Sequence, residues 1–342
     1  MKGILLSKLT SFYDELASKM ELYLPIKESG ALNFNKYVSG KEVDVESLQT
    51  IKSCKDLFFP QTEDMVKFKT EGKNIEIIDA RRKSEEFAIF GVRACDYKSF
   101  EVLDKVFLVE PVDTMYKTKR ENAIIFTLAC NNPQASCFCK VFDIDASSPK
   151  GDVECYMVND YMYFNSLTER GLKILNALTC LEEVDDANGV ESLKEQIKNK
   201  IDALPFANLD LSIFKGENLM ELFDRQEWEE LSKPCLGCGT CTFICPTCQC
   251  FDIRDFKTND AVKRFRCWDS CMYSEFTQMA AENPRKTQLQ RFRQRFMHKL
   301  CYYPSNNDGL YSCVGCGRCV KKCPQSLNIV KVIKKLGGKS ND

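Results

Sequence analysis

The sequence predicts an α+β or α/β domain followed by a mostly helical domain, and three observations predict it. In the first part of the chain, short runs of apolar, β-branched and aromatic residues alternate with stretches at helical spacing. Towards the C-terminus, helical spacing dominates. The cysteines divide the same way: of 20, seven lie in residues 1–234 and thirteen in residues 235–342. The 342 residues suit two domains at about 100–200 residues each. The division is placed at 1–214 and 215–342, with Pro205–Lys215 as the connector.

Taken in order, Leu9, Phe12, Tyr13 and Leu16 recur at helical spacing and predict an amphipathic helix near the N-terminus. Ile75–Ile78, Phe87–Val92 and Ala123–Leu128 read as short buried strands. Lys98–Leu108 reads as a helix with Phe100, Leu103 and Val106 on one face. Tyr156–Phe164 alternates as a hairpin does, and helices are expected over Glu169–Leu178 and Val190–Leu204. Beyond the connector, helices are expected over Glu217–Leu231, Asn283–Leu300 and Leu327–Leu336.

Composition narrows the function. Lys plus Arg number 48 and Asp plus Glu 49, so there is no net basic field to draw in nucleic acid or anionic lipid. The single histidine, His298, excludes His-rich zinc sites and Ser-His or Cys-His catalysis. No catalytic residue is assigned. The apolar run at the N-terminus breaks at Ser7 and Lys8, too early for a secretory core, and no stretch approaches the roughly 18 apolar residues that span a bilayer. A cytoplasmic chain without a membrane anchor is expected, in which clustered thiols stay reduced and point to metal rather than disulfides.

The chemistry lies in a duplicated motif. Residues 235–246 read Cys-Leu-Gly-Cys-Gly-Thr-Cys-Thr-Phe-Ile-Cys-Pro, and residues 313–324 read Cys-Val-Gly-Cys-Gly-Arg-Cys-Val-Lys-Lys-Cys-Pro. Both have the C-x2-C-x2-C-x3-C-P spacing of bacterial-type [4Fe–4S] sites, in which the fourth cysteine serves the other cluster. Three thiolates from a tight loop reach three corners of a cubane, and Gly237, Gly239, Gly315 and Gly317 let the backbone curl around it. The expected sets are therefore crossed. Cys235, Cys238, Cys241 and Cys323 hold one cluster; Cys313, Cys316, Cys319 and Cys245 hold the other. The helices around and between the motifs favour an α-helical ferredoxin-like arrangement. The competing reading is a zinc-stabilised interaction module using the same cysteines.

Two further cysteine sets are candidates for a metal. Cys95 follows one predicted strand, and Cys130, Cys137 and Cys139 follow another. If those strands are parallel neighbours, the four thiols meet at their C-terminal edge, where α/β sheets bind ligands. They suffice for a further iron–sulfur centre or a zinc, with Arg93 as a donor to the sulfurs and Asp96 as a helix cap. Cys248, Cys250 and Cys271, between the motifs, form the second set; the plain alternative is that they pack as small apolar side chains. Cys54, Cys155 and Cys180 are isolated and expected in the core. The basic run Arg285, Lys286, Arg291, Arg293, Arg295 and Lys299 is expected to be a solvated face, or else a docking face or compensation for negative clusters.

These residues resemble the 4Fe–4S dicluster electron-transfer subunits that include the dicluster component of anaerobic sulfite reductase and the β subunit of sulfhydrogenase. The resemblance rests on Arg93–Asp96, Cys130 with Cys137-Phe138-Cys139, Cys245-Pro246-Thr247-Cys248-Gln249-Cys250, Trp268-Asp269-Ser270-Cys271 and the second motif. Ala94, Pro324-Gln325 and Cys155 lean towards the sulfite reductase branch. The resemblance implies a complex in which a flavin subunit oxidises NADH or NADPH, this chain relays electrons, and a sirohaem subunit reduces sulfite. A sulfhydrogenase or another NAD(P)H-linked complex is the alternative. The absence of G-x-G-x-x-G after a strand, and of a P-loop, agrees with a relay that has no nucleotide site of its own.

Overall fold

The computed structural model describes residues 1–47, 50–81, 85–259 and 261–337. Its strands, in chain order, are β1 (Lys2–Leu5), β2 (Glu21–Glu28), β3 (Ala31–Lys36), β4 (Thr62–Glu71), β5 (Asn74–Asp79), β6 (Phe87–Val92), β7 (Ala123–Leu128), β8 (Val153–Val158), β9 (Tyr161–Ser166), β10 (Glu182–Glu183), β11 (Phe251–Lys257) and β12 (Ala261–Trp268). One eight-stranded sheet has the order β10-β1-β9-β8-β7-β6-β2-β3. Its centre is parallel: β2 with β6, β6 with β7, and β7 with β8. Antiparallel strands close both sides.

The central strands are apolar at nearly every position because both faces are covered. Every residue of Phe87–Val92 and Ala123–Leu128 is buried. Ala88, Phe90, Ile124, Phe126 and Leu128 enter one core, with Phe12 and Leu16 of the N-terminal helix. Phe87, Ile89, Val92, Ala123 and Ile125 enter the core on the other face, with Phe58, Phe100 and Leu103. Alternation of side chains along each strand thus sorts one apolar run into two cores.

Lys2–Leu5 forms a strand ahead of the helix Leu9–Lys19. Ile75 and Ile77 do lie in a strand, but on its open side, at 67% and 69% exposure, because β5 is the edge of a second sheet ordered β11-β12-β4-β5. The helix expected over Glu217–Leu231 is broken at Arg225, which turns to an extended conformation between the helices Leu219–Asp224 and Glu227–Ser232.

The second part of the chain, expected to be mostly helical, also contains strands. A long antiparallel hairpin, β11 with β12, stands between the cysteine motifs. The alternation in Phe-Asp-Ile-Arg-Asp-Phe-Lys is the signal that predicts a strand there. This hairpin pairs with β4, so strands from both sides of residue 214 share a sheet.

Candidate iron–sulfur site

Each motif folds as a loop that ends in a short helix, Thr240–Phe243 in the first and Arg318–Lys322 in the second. The four glycines all have positive φ: 65° and 71° at Gly237 and Gly239, 59° and 74° at Gly315 and Gly317. These left-handed conformations curl each loop around its thiols, and glycine adopts them without the Cβ clash that other residues meet. The Gly237 N–H points at the Cys235 sulfur, 3.4 Å away, and the Leu327 N–H at the Cys323 sulfur, 3.2 Å away.

Two hollows result. One, of about 450 Å³ including its open mouth, is lined by Cys235, Cys238, Cys241 and Cys323, with Arg295 and Phe296. The other, of about 350 Å³, is lined by Cys313, Cys316, Cys319 and Cys245, with Arg295 and Lys299. The chain therefore brings three cysteines of each motif together with the last cysteine of the other. Among the described residues, no group of three or more Cys, His, Asp or Glu side chains is gathered tightly enough for a single ion. Thiolates on one zinc, each about 2.3 Å from the metal, must crowd much closer than thiolates bound to separate irons of a cubane. Thiols ringing a hollow fit the larger group.

The electrostatics fit an anionic occupant. Lys55, Arg295 and Lys299 are only 2%, 2% and 4% exposed, and none forms an ion pair with a carboxylate among the described residues. Lys55 donates to the carbonyl oxygens of Cys245 and Cys248 at 3.1 and 3.0 Å and lies over the Trp268 ring. Lys299 donates to Thr247 Oγ1 and the Ser312 carbonyl, both at 2.8 Å. Arg295 Nη2 donates to the Cys241 carbonyl at 2.7 Å, while its Nε and Nη1 are buried without a hydrogen-bond partner among the described residues.

A buried uncompensated cation costs several kcal/mol, so three of them around eight thiols require negative charge in that space. Burial works against the charged forms of Arg295 and Lys299, yet the thiolates around them outweigh it and hold both pKa values above the ordinary range. Burial likewise favours thiol over thiolate at Cys313, pushed up to about 12, so binding a cluster there releases a proton.

The solvated-face expectation for the basic run thus fails at Arg295 and Lys299, which are buried beside the thiols. The sequence carries a signal for this: Phe292, Arg295, Phe296 and Lys299 fall on one helical stripe, which puts the two cations on the apolar side. The helix starts at Gln288, under a capping box made by Thr287 and Gln290, and passes into a π-helical turn over His298–Tyr302 that carries Lys299. No signal in the sequence points to Lys55, which comes from the first part of the chain.

The other expected residues divide. Strands β6 and β7 are parallel neighbours. Cys95 and Cys130 lie just beyond their C-terminal ends, with Cys137 and Cys139 in the segment leading to β8. Cys130 is an electrostatic neighbour of Cys137 and Cys139, and Cys139 of Cys95, so the four lie in one region at the C-terminal end of these strands. Asp96 does not cap the helix Ala94–Phe107; both its oxygens accept from Arg318, at 2.5 and 2.7 Å. The nitrogens of Arg93 reach the backbone carbonyls of Ala129, Val45 and Ser47.

Cys248, Cys250 and Cys271 resolve into pairs. Cys248 donates to Cys245 and holds that thiol well below the usual range, and Cys271 is bonded to Cys250 through a hydrogen bond. Cys54 and Cys155 are in the core, and Cys180 is half-buried. No helix among the described residues is long and apolar enough to cross a membrane.

Residues 234–327 match the family model described as a 4Fe–4S dicluster domain. That stretch contains both cysteine motifs. Over 329 residues the chain is 28% identical to the sulfhydrogenase 2 subunit beta of Pyrococcus furiosus, and the match covers 94% of each chain. No solved structure matches it.

Proposed function

We propose that this chain is an electron-relay subunit of a sulfhydrogenase-type oxidoreductase complex. Cys235, Cys238, Cys241 and Cys323 ligate one [4Fe–4S] cluster, and Cys245, Cys313, Cys316 and Cys319 ligate the other. The observation that carries this reading is the pair of hollows, each ringed by three cysteines of one motif and one of the other, with the guanidinium of Arg295 facing both. When bound, each cluster accepts and releases one electron without breaking a bond.

The chain's own part is electrostatic and geometric. Buried cations oppose the negative charge added on reduction. N–H groups pointed at sulfur stabilise the reduced state, and apolar walls keep water away. No side chain in either hollow has to move a proton, so a relay rather than a substrate site is what the lining supports.

Residues 1–214 and 215–342 are proposed as two structural halves, the second holding the clusters and the first lending Lys55 to their surroundings. The lean towards the sulfite reductase branch rests on Ala94, Pro324-Gln325 and Cys155. The long match to a sulfhydrogenase β subunit favours the alternative, with other subunits of such a complex as partners. Anaerobic purification of the tagged chain with its native partners tests the assignment. Copurifying hydrogen-dependent dye reduction is expected. Sirohaem absorbance with sulfite-dependent oxidation of a reduced dye would overturn it in favour of the sulfite branch, and a colourless chain with stoichiometric zinc would overturn the cluster reading itself.

A further inference from the structure

The segment Ser136–Cys139 lies directly against the loop of the second motif. The Phe138 N–H donates to the Gly315 carbonyl at 2.8 Å, and the Cys137 sulfur lies 3.9 Å from the Cys316 carbonyl oxygen. A Cβ on Gly315 would overlap the Phe138 carbonyl, and one on Gly317 the Ser136 carbonyl. Contact this close leaves no room for a side chain at Gly315 or Gly317. Cys95 and Cys316 are electrostatic neighbours across the same seam.

Cys95, Cys130, Cys137 and Cys139 thus come from two separate places, the start of the helix after β6 and the segment after β7. Their meeting point is the C-terminal edge of two parallel strands, where an open α/β sheet presents ligands. Arg93 is 5% exposed, and its partners are neutral carbonyls. It faces Cys95 and Cys130, with Asp96 and Asp44 as weaker electrostatic neighbours, and is a buried cation beside thiols as Arg295 and Lys299 are. A second cation, Arg318, lies between this set and Cys316, and it is neutralised by Asp96. The four thiols are not drawn onto a point that one ion could fill.

We infer that Cys95, Cys130, Cys137 and Cys139 ligate a third [4Fe–4S] cluster, packed against the second motif and in series with the two already proposed. This deepens the relay reading: the third centre extends the wire to the C-terminal ends of the parallel strands β6 and β7. An electron passing between the third centre and its neighbour oxidises one by one electron and reduces the other by one, and no bond or proton moves.

The full-length chain, purified anaerobically, tests this by iron and acid-labile sulfide analysis and by integrated EPR spin counts after complete reduction. About twelve iron, twelve sulfide and three spins per chain are expected. Cys130→Ser and Cys139→Ser are each expected to remove about four iron and one spin, leaving the other two signals. About eight iron and two spins in the wild type would overturn the third centre while leaving the dicluster reading intact. Twelve iron unchanged in both variants would overturn the ligand set, and one zinc per chain lost from both variants would overturn the cluster in favour of a zinc site. Iron near zero in the wild type would instead remove the dicluster reading. The wild-type spin count decides the question even if both variants fail to fold.

Discussion

Arg295 donates through Nη2 to the carbonyl oxygen of Cys241 at 2.7 Å, and its Nε and Nη1, in the wall shared by the two cysteine-lined hollows, have no hydrogen-bond partner among the described residues. Its charge is placed to act on both proposed clusters at once. Adding an electron beside a buried cation is favourable, so removing the cation lowers a cluster's potential. Arg295→Met is expected to shift both potentials downward, each by on the order of 100 mV for a unit charge several ångströms away at an effective dielectric near 20. Arg295→Lys is expected to shift them less. An EPR-monitored redox titration reads both values, and a shift in only one cluster would contradict the shared position.

The ion pair of Asp96 with Arg318 is enclosed, at 0% and 3% exposure. Asp96→Asn leaves a buried guanidinium without its counter-charge, a loss of about 3–5 kcal/mol. The corresponding change at Asp79, whose pair with Arg81 is in solvent, is expected to alter stability little. Denaturant unfolding of the two variants measures the contrast.

Gly315 and Gly72 have nearly the same φ, 59° and 61°, but different surroundings. Nothing lies within 4 Å of a Cβ built on Gly72, whereas one on Gly315 meets the backbone of Phe138. Gly72→Ala therefore costs only the left-handed strain, about 1–2 kcal/mol. Gly315→Ala adds a backbone clash and is expected to cost more and to deplete the iron held by the second motif. Thermal unfolding with iron analysis separates the two variants.

His298 supplies a pH dependence with a definite sign. Burial, then Lys299 and Arg285, lower its pKa to about 4 from 6.5. Between those values the unfolded chain binds a proton that the folded chain refuses, so stability falls as pH drops from about 6.5 towards 4. At pH 5.5 the contribution is about 1 kcal/mol. The stability difference between wild type and His298→Gln is expected to change by that amount from pH 7.5 to pH 5.5; a constant difference would show that His298 titrates normally.

Much of this arrangement is legible in the sequence, for physical reasons that differ from element to element. Phe87–Val92 and Ala123–Leu128 are readable because a strand buried on both faces must be apolar almost throughout. The grouping of the first three cysteines of each motif is readable because spacing limits which thiols one tight loop can aim at a common centre. Lys55 is not, since nothing local marks a lysine whose partners, the carbonyls of Cys245 and Cys248, lie far along the chain. Asp96 is misread for the same reason: an acidic residue in a first helical turn has the signature of a cap, and only the tertiary fold brings Arg318 to it. The hairpin β11–β12 is missed because its charged, alternating surface is easily taken for a solvated connection once helices are expected on both sides.

The central claim is the exchange of the last ligand between the motifs. Its most direct test compares Cys323→Ser with Cys238→Ser and Cys316→Ser, using EPR of the reduced chains and iron content. The account predicts that Cys323→Ser perturbs the same cluster signal as Cys238→Ser and leaves intact the one perturbed by Cys316→Ser. If Cys323→Ser instead reproduces the Cys316→Ser spectrum, each motif keeps its own fourth cysteine and the crossed arrangement is wrong.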